Sequence, residues 1–391
     1  MKISNKLSEL TKYLLKDEAI SGKLIIIAAL LALAAANTPL APWYDAFIHT
    51  KITLGFGDWA LAMSLQHWVS EGLMALFFLT IGLELKHELV HGDLRKPRAA
   101  ALPVIAALGG MLAPALIFMA FNYGMPTLRG WAIPTATDIA LAVGVLTLLG
   151  KSVPSSVRVF LLALAIVDDI LAVLVIALFY SGGIDVVALA IVGGLGGVVL
   201  ALGSVGKLRV WWVAFLGVAM WYFMLKSGVH ATLAGALLGL LLPVAASGPG
   251  AQVSKRIDKA VVPLVTLGIV PLFAFVSTGV SFDMSQVSGA TIATVGGGIV
   301  FGFVAGKFLG VLAATWLAVR LKLGKLPSGM GWNHVASVGA LAGIGFTVAV
   351  FVADLAYINP AQLTVAKLSI LLASLLAALL GFVIIRFVRV K

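Results

Sequence analysis

Apolar residues fall into twelve long runs, at approximately 21–37, 67–85, 99–121, 131–150, 157–180, 184–203, 208–225, 227–246, 260–279, 291–319, 335–357 and 363–386. A run of about 20 apolar residues is the length of helix that crosses a hydrocarbon core. The pattern predicts an all-α polytopic membrane protein with about twelve transmembrane helices. Several runs are short or overlong, which predicts tilts or breaks. A membrane β-barrel would instead show short alternating segments. Ahead of the first run, Ile3, Leu7, Leu10 and Leu14 line one side of a basic stretch. Residues 1–20 read equally as an amphipathic helix on the cytoplasmic surface and as a solvated leader. No cleavable signal is evident. Residues 21–391 are expected to form one transmembrane domain.

Composition agrees with this class. Of 391 residues, 61% are hydrophobic and 11% charged, whereas soluble domains carry about 25% charged residues. The net charge of +11 lies in loops. Of 27 Lys and Arg, 22 fall on one side of the alternating loops, and only Lys51, Arg129 and Lys226 on the other. Lys307 and Lys367 lie inside runs. The positive-inside rule makes the basic side cytoplasmic, with both termini there. A surplus spread over loops, with no basic face or arm, argues for the lipid bilayer as partner and against nucleic acid. There is no cysteine, hence no disulfide and no thiolate metal site.

The fifth run, Leu161 to Tyr180, holds Asp168 and Asp169 side by side at its middle. Each costs about 2.5–3.5 kcal/mol at that depth. Two other runs have weak points. Trp131-Ala-Ile-Pro-Thr-Ala-Thr-Asp138 places a proline in the fourth run, and Pro134 lacks the N–H that a helix needs. Thr135, Thr137 and Asp138 offer substitute hydrogen bonds, although a plain proline kink fits too. In the eleventh run Gly339, Gly343 and Gly345 cluster before Thr347. Glycine there suits unwinding or close helix contact alike.

The two weak runs are seven apart, so they cross in opposite directions. Each is the middle of a triple, segments three to five (about 99–180) and ten to twelve (about 291–386). Interrupted spans at matching places in two inverted-topology repeats point to a transporter's midplane site. The tenth run adds Gly298, Gly302, Gly306 and Gly310, a flat ridge every four residues, with Lys307 beside it.

Asp138, Asp168, Asp169 and Lys307 together would cost roughly 10–14 kcal/mol at membrane depth if left bare. Where broken helices meet, an aspartate balances paired N-termini and a lysine balances paired C-termini. Asp138 and Lys307 suit those places. The adjacent aspartates then compete for a metal cation or for protons, which is the chemistry of exchange. Neutralising two carboxylates takes two protons against one monovalent cation, so the exchange is expected to move charge.

An intramembrane aspartyl protease needs its carboxylates on different helices, and adjacent Asp168 and Asp169 do not fit. A channel has no need of titrating acids coupled to a lysine. A symporter of organic solutes would be expected to show an added anchor such as a buried arginine. Elsewhere, the external loop Thr38 to Gln66 reads as a hairpin around Gly55 and Gly57 or as an irregular loop. His230, near one end of the eighth run, reads as a helix-end hydrogen bonder or as a sensor.

The stretches LMALFFLTIGLE, GWAIPTATDIA, LALAIVDDI, LKSGVHATLAG, PLFAFVSTGV, AGKFLG and AGIGFT occur in this order. Together they resemble the NhaA-type bacterial Na+/H+ antiporters over almost the whole chain. The resemblance implies a non-enzyme of the bacterial inner membrane that exchanges sodium or lithium for protons without a cofactor. It implies Asp169 as principal cation ligand, with Asp168 as its partner or as the partner of Lys307. Thr137, Asp138, Lys307, Gly343 and Gly345 would serve the helix breaks and their charge balance. Glu84, Glu88, Lys255 and Asp258 match a pH-activation cluster, and His230 a residue linked to the pH response. Glu71 and Asp258 exchange one acidic residue for the other relative to the usual pattern, and His87 and Lys259 replace an arginine and a histidine. These departures bear on the pH set-point. A homodimer is the family expectation, weakened here by a shorter external hairpin.

Overall fold

Each apolar run is recovered as helix, with differences that matter at the site. The computed structural model describes residues 18–55, 57, 60–92, 95–148, 153–244, 249–283, 285 and 287–387. Leader positions Ile3, Leu7, Leu10 and Leu14 lie outside them. The helices are α1 (Glu18–Ala36), α2 (Ala41–His49), α3 (Leu65–Val90), α4 (Pro97–Phe121), α5 (Ile139–Leu148), α6 (Ser155–Phe179), α7 (Val186–Ser204), α8 (Val210–Lys226) and α9 (Thr232–Leu241). They continue with α10 (Gln252–Thr278), α11 (Gly289–Arg320), α12 (Trp332–Ala342), α13 (Phe346–Ala356) and α14 (Pro360–Phe387). A 3-10 segment, Pro126–Thr135, precedes α5. Among the described residues seven helices are long and apolar enough to cross a membrane, or ten spans if each bent pair counts as one. α8 and α9 are shorter apolar helices. The protein is a polytopic helical membrane protein.

Two compact units divide the chain: Met1–Ile26, Asp93–Ala172 and Val280–Lys391 form the first, Ile27–Gly92 and Val173–Gly279 the second. In the first, the glycine ridge of α11 lies against α4. A Cβ on Gly306 would stand 2.7 Å from Pro114 Cα, and one on Gly298 2.8 Å from the Phe118 ring. Only hydrogen at these positions lets the helices approach so closely. Phe118, Phe303, Leu161, Leu164 and Phe351 are among the buried side chains of this unit. α11 also contains two π-helical stretches, Ile292–Gly296 and Gly302–Lys307. Such stretches loosen the helical ladder, often at functional positions, and the second ends on Lys307.

In the second unit, Gly82, Gly235 and Gly239 let α3 and α9 touch backbone to backbone. Lys86 donates to the Leu240 carbonyl at the end of α9, at 2.9 Å. The eighth run is helical only over Thr232–Leu241, shorter than the expected 227–246. Gly228 turns the chain at φ +77°, and the Ser227 hydroxyl accepts from Val229 N. At the other end Pro243 forces Leu242 into an extended conformation.

The loop before α3 resolves the earlier alternative. Strands β1 (Lys51–Leu54) and β2 (Leu61–Ser64) form an antiparallel hairpin, with Lys51 opposite Ser64 and Leu54 opposite Leu61. The helix α2 ahead of it was not expected. Its nine residues are too few for a membrane pattern, yet Tyr44 and Ile48, one turn apart, are buried, and the Tyr44 hydroxyl donates to Phe275 O at 2.7 Å.

Candidate functional site

Both weak runs break, and the breaks bond to each other. The 3-10 segment and α5 meet at 42°, and α12 and α13 at 44°. In the first case the 3-10 segment runs through Pro134 to Thr135, and Ala136 follows in an extended conformation. In the second, Gly343 and Gly345 keep negative φ, at −71° and −99°. They are needed for closeness rather than for a left-handed turn. A Cβ on Gly343 would stand 2.7 Å from Phe303 O, and one on Gly345 would enter the Phe303 ring. Asp138 N donates to Ile344 O at 2.6 Å, and the Thr137 hydroxyl donates to Ala342 O at 2.8 Å. Backbone groups freed at each break are thus satisfied across to the other, as a water-poor setting demands.

Asp138 caps two helices with one carboxylate. Its Oδ1 accepts from Leu141 N in the first turn of α5, at 3.1 Å. Its Oδ2 accepts from Thr347 N at 3.1 Å and from the Thr347 hydroxyl at 2.6 Å, in the first turn of α13. Two N-termini at about half a positive charge each roughly match one carboxylate.

Lys307 is fully buried, and its Nζ lies 2.6 Å from Asp168 Oδ2. It also donates to Thr137 Oγ1 at 3.0 Å. Its main partner is therefore Asp168. Through the Thr137 hydroxyl, which donates to Ala342 O, it is also linked to the C-terminal carbonyl of α12. Asp168 Oδ1 is buried without a hydrogen-bond partner among the described residues. Asp169, on the next position of α6, is buried as well and within electrostatic reach of Lys307. Among the described residues no three His, Cys, Asp or Glu converge as a metal cluster. A cation here would draw on two carboxylates and neutral oxygens.

A family model described as Na+/H+ antiporter 1 matches residues 12–385. The chain belongs to that family. It is 48% identical over 389 residues to an Na(+)/H(+) antiporter NhaA of Acidovorax sp., covering 97% of this chain and 92% of that one. It is 45% identical over 375 residues to the NhaA of Vibrio campbellii, covering 95% and 94%. It is 41% identical over 395 residues to an NhaA 1 of Clostridium beijerinckii, covering 100% and 98%.

The residues matched to the antiporters' pH set lie in the second unit. Glu88 and Asp258 are each within electrostatic reach of Glu84, and His87 is within reach of Asp258. Lys255 is exposed on α10, one turn before Asp258. His230 sits at a helix end, just before α9. Its Nδ1 lies 3.1 Å from Glu71 Oε1 and its Nε2 3.1 Å from Tyr180 O. Glu71 is buried in a π-helical stretch of α3, and its Oε2 accepts from Ala231 N at 2.9 Å. Both imidazole nitrogens thus face acceptor oxygens.

A largely buried ion pair lies elsewhere in the first unit. Lys367 Nζ lies 2.8 Å from Asp354 Oδ1, joining α13 to α14. Its signal was present: opposite charges in two consecutive apolar runs. Asp354 ends the apolar stretch Phe346-Thr-Val-Ala-Val-Phe-Val-Ala-Asp354, whose neighbours mask its charge.

Proposed function

We propose that this chain is an electrogenic, pH-regulated antiporter of the bacterial inner membrane, exchanging cytoplasmic sodium or lithium for protons at Asp168 and Asp169. The observation that carries this reading is the state of Asp168: one carboxylate oxygen held by Lys307, the other buried with no hydrogen-bond partner among the described residues. That arrangement suits a cation arriving at Asp168 and Asp169 with the Thr137 hydroxyl beside them. A small alkali cation prefers such oxygen donors. Full use of both carboxylates opens the Lys307–Asp168 bond, after which the second proton leaves from the lysine or from the acid. The relatives are described as Na(+)/H(+) antiporters, which supports the same exchange here.

The proposed frame has twelve membrane crossings with both termini in the cytoplasm, as the loop charges indicate. Its core is a pair of inverted three-helix repeats, about 99–180 and 291–386, whose middle members are the two broken spans. The mutual bonding of those breaks favours this frame. Glu84, Glu88, Lys255, Asp258 and His230 are proposed to set the pH response, and a homodimer is the proposed assembly. No cofactor is required by this chemistry.

Everted vesicles with an acid interior test the site. Sodium or lithium chloride should dequench a pH-gradient dye with the native chain and fail to do so with Asp169→Asn. Dequenching by that variant at the native rate would sink the assignment.

A further inference from the structure

The Asp354–Lys367 pair is not explained by ion binding. Asp354 lies in the last turn of α13, where a negative side chain opposes the helix dipole. It is also mostly buried, so its charge gains little from solvent. A buried ion pair is weak support for stability, and its best-attested use is to fix one arrangement over another.

The arrangement it fixes is visible at the other end of α13. Phe346 N, the first amide of that helix, donates to the Ser374 hydroxyl of α14 at 3.3 Å. Lys367 and Ser374 are seven residues apart, so they lie on one face of α14 about 10 Å apart. Their partners Phe346 and Asp354 are eight residues apart, about 12 Å along α13. The spacings match, and α13 is held to one face of α14 at both ends. Thr347, next to the tethered Phe346, is the residue that binds Asp138. Asp138 in turn follows Thr137, whose hydroxyl receives Lys307.

We propose that Asp354, Lys367 and Ser374 are positioning residues for the ion site: they clamp α13 to α14 so that the two move as one body and Thr347 stays registered on Asp138. None of the three touches the transported ion. They act through the placement of Asp138 and Thr137 beside Lys307 and Asp168. This inference rests on the antiport reading of the site.

Full-length protein in proteoliposomes tests it by separating KM for sodium from maximal rate. Asp354→Asn and Lys367→Met should each raise KM about three- to tenfold, with maximal rate kept within about twofold. The exchanged pair Asp354→Lys with Lys367→Asp should bring KM back to within about twofold of native. Ser374→Ala, a milder change, should raise KM in the same direction and keeps the test alive where a single charge variant does not fold. Native KM in the variants, with only a lower melting temperature, overturns the proposal, as does an exchanged pair no better than the single variants. Native vesicles that show no sodium-dependent exchange, or an active Asp169→Asn, count instead against the antiport reading.

Discussion

Lys307 Nζ lies 2.6 Å from Asp168 Oδ2, with the side chains 0% and 1% exposed. Removing one member of such a pair strands a charge in low dielectric, at a cost of about 3–5 kcal/mol. Lys307→Met should therefore lower the thermal midpoint of the detergent-solubilised protein markedly. Lys307→Met combined with Asp168→Asn removes both charges and should recover most of that loss. A double variant as unstable as the sum of its parts would deny the pairing.

Thr347 gives Asp138 a hydroxyl bond and a backbone bond at once. A hydrogen bond to a charged group is worth about 1.5–3 kcal/mol. Thr347→Val keeps the shape and deletes the hydroxyl, so it should cost about that much. Thr347→Ser keeps the donor and should cost less. Asp138→Leu should exceed Thr347→Val, since it uncaps two helices, at about 0.5–2 kcal/mol for each cap. Melting curves of the four proteins rank these effects, and Thr347→Val as stable as native would remove the Asp138–Thr347 link from the account.

The glycines of α11 invite a contrast with Gly144 of α5. A Cβ on Gly306 meets the Pro114 backbone at 2.7 Å, which has no flexible end to yield. Gly306→Ala should destabilise by about 1–3 kcal/mol through overpacking. A Cβ on Gly144 meets nothing within 4 Å. Gly144→Ala should therefore be neutral or stabilising, by up to about 1 kcal/mol, because alanine is the better helix former. Equal melting temperatures for the two variants would contradict the packing described for the ridge.

The broken spans were legible because the residues that make them are local. Pro134 removes a donor, and the glycines before Thr347 sit within two turns. The glycine ridge was legible for the same reason, since its period is that of a helix face. Partners were harder to read. Lys307 could be placed at depth, with Asp168 as one candidate partner, but the bond itself depends on how α6 and α11 pack. Nor does the sequence mark the π-helical stretch that ends on Lys307, since Gly302 to Gly306 is ordinary Gly, Phe, Val and Ala. Asp354 was missed because hydrophobic neighbours on both sides masked a charge whose partner lies in the next helix. Whether Gly343 and Gly345 unwind or merely permit contact needed the dihedral angles, which gave close contact beside a break.

Charge movement gives the sharpest check on the proposed exchange. Restoring the site after sodium leaves takes two protons, one for Asp169 and one for Asp168 or Lys307. The result is the same whichever of the latter two carries it: two positive charges cross one way for each one crossing the other. One net elementary charge in a membrane potential is worth about 2.3 kcal/mol per 100 mV. With equal pH on both sides, an interior-negative potential of about 100 mV should then expel sodium from proteoliposomes. The limiting ratio is about fiftyfold, whichever way the protein is inserted. A one-for-one exchange moves no net charge and gives no gradient. Vesicles loaded with sodium, and given a potassium diffusion potential by valinomycin, distinguish the two cases directly. Sodium content that does not change when the potential is imposed would leave the paired-carboxylate count wrong, even if Asp169→Asn is inactive.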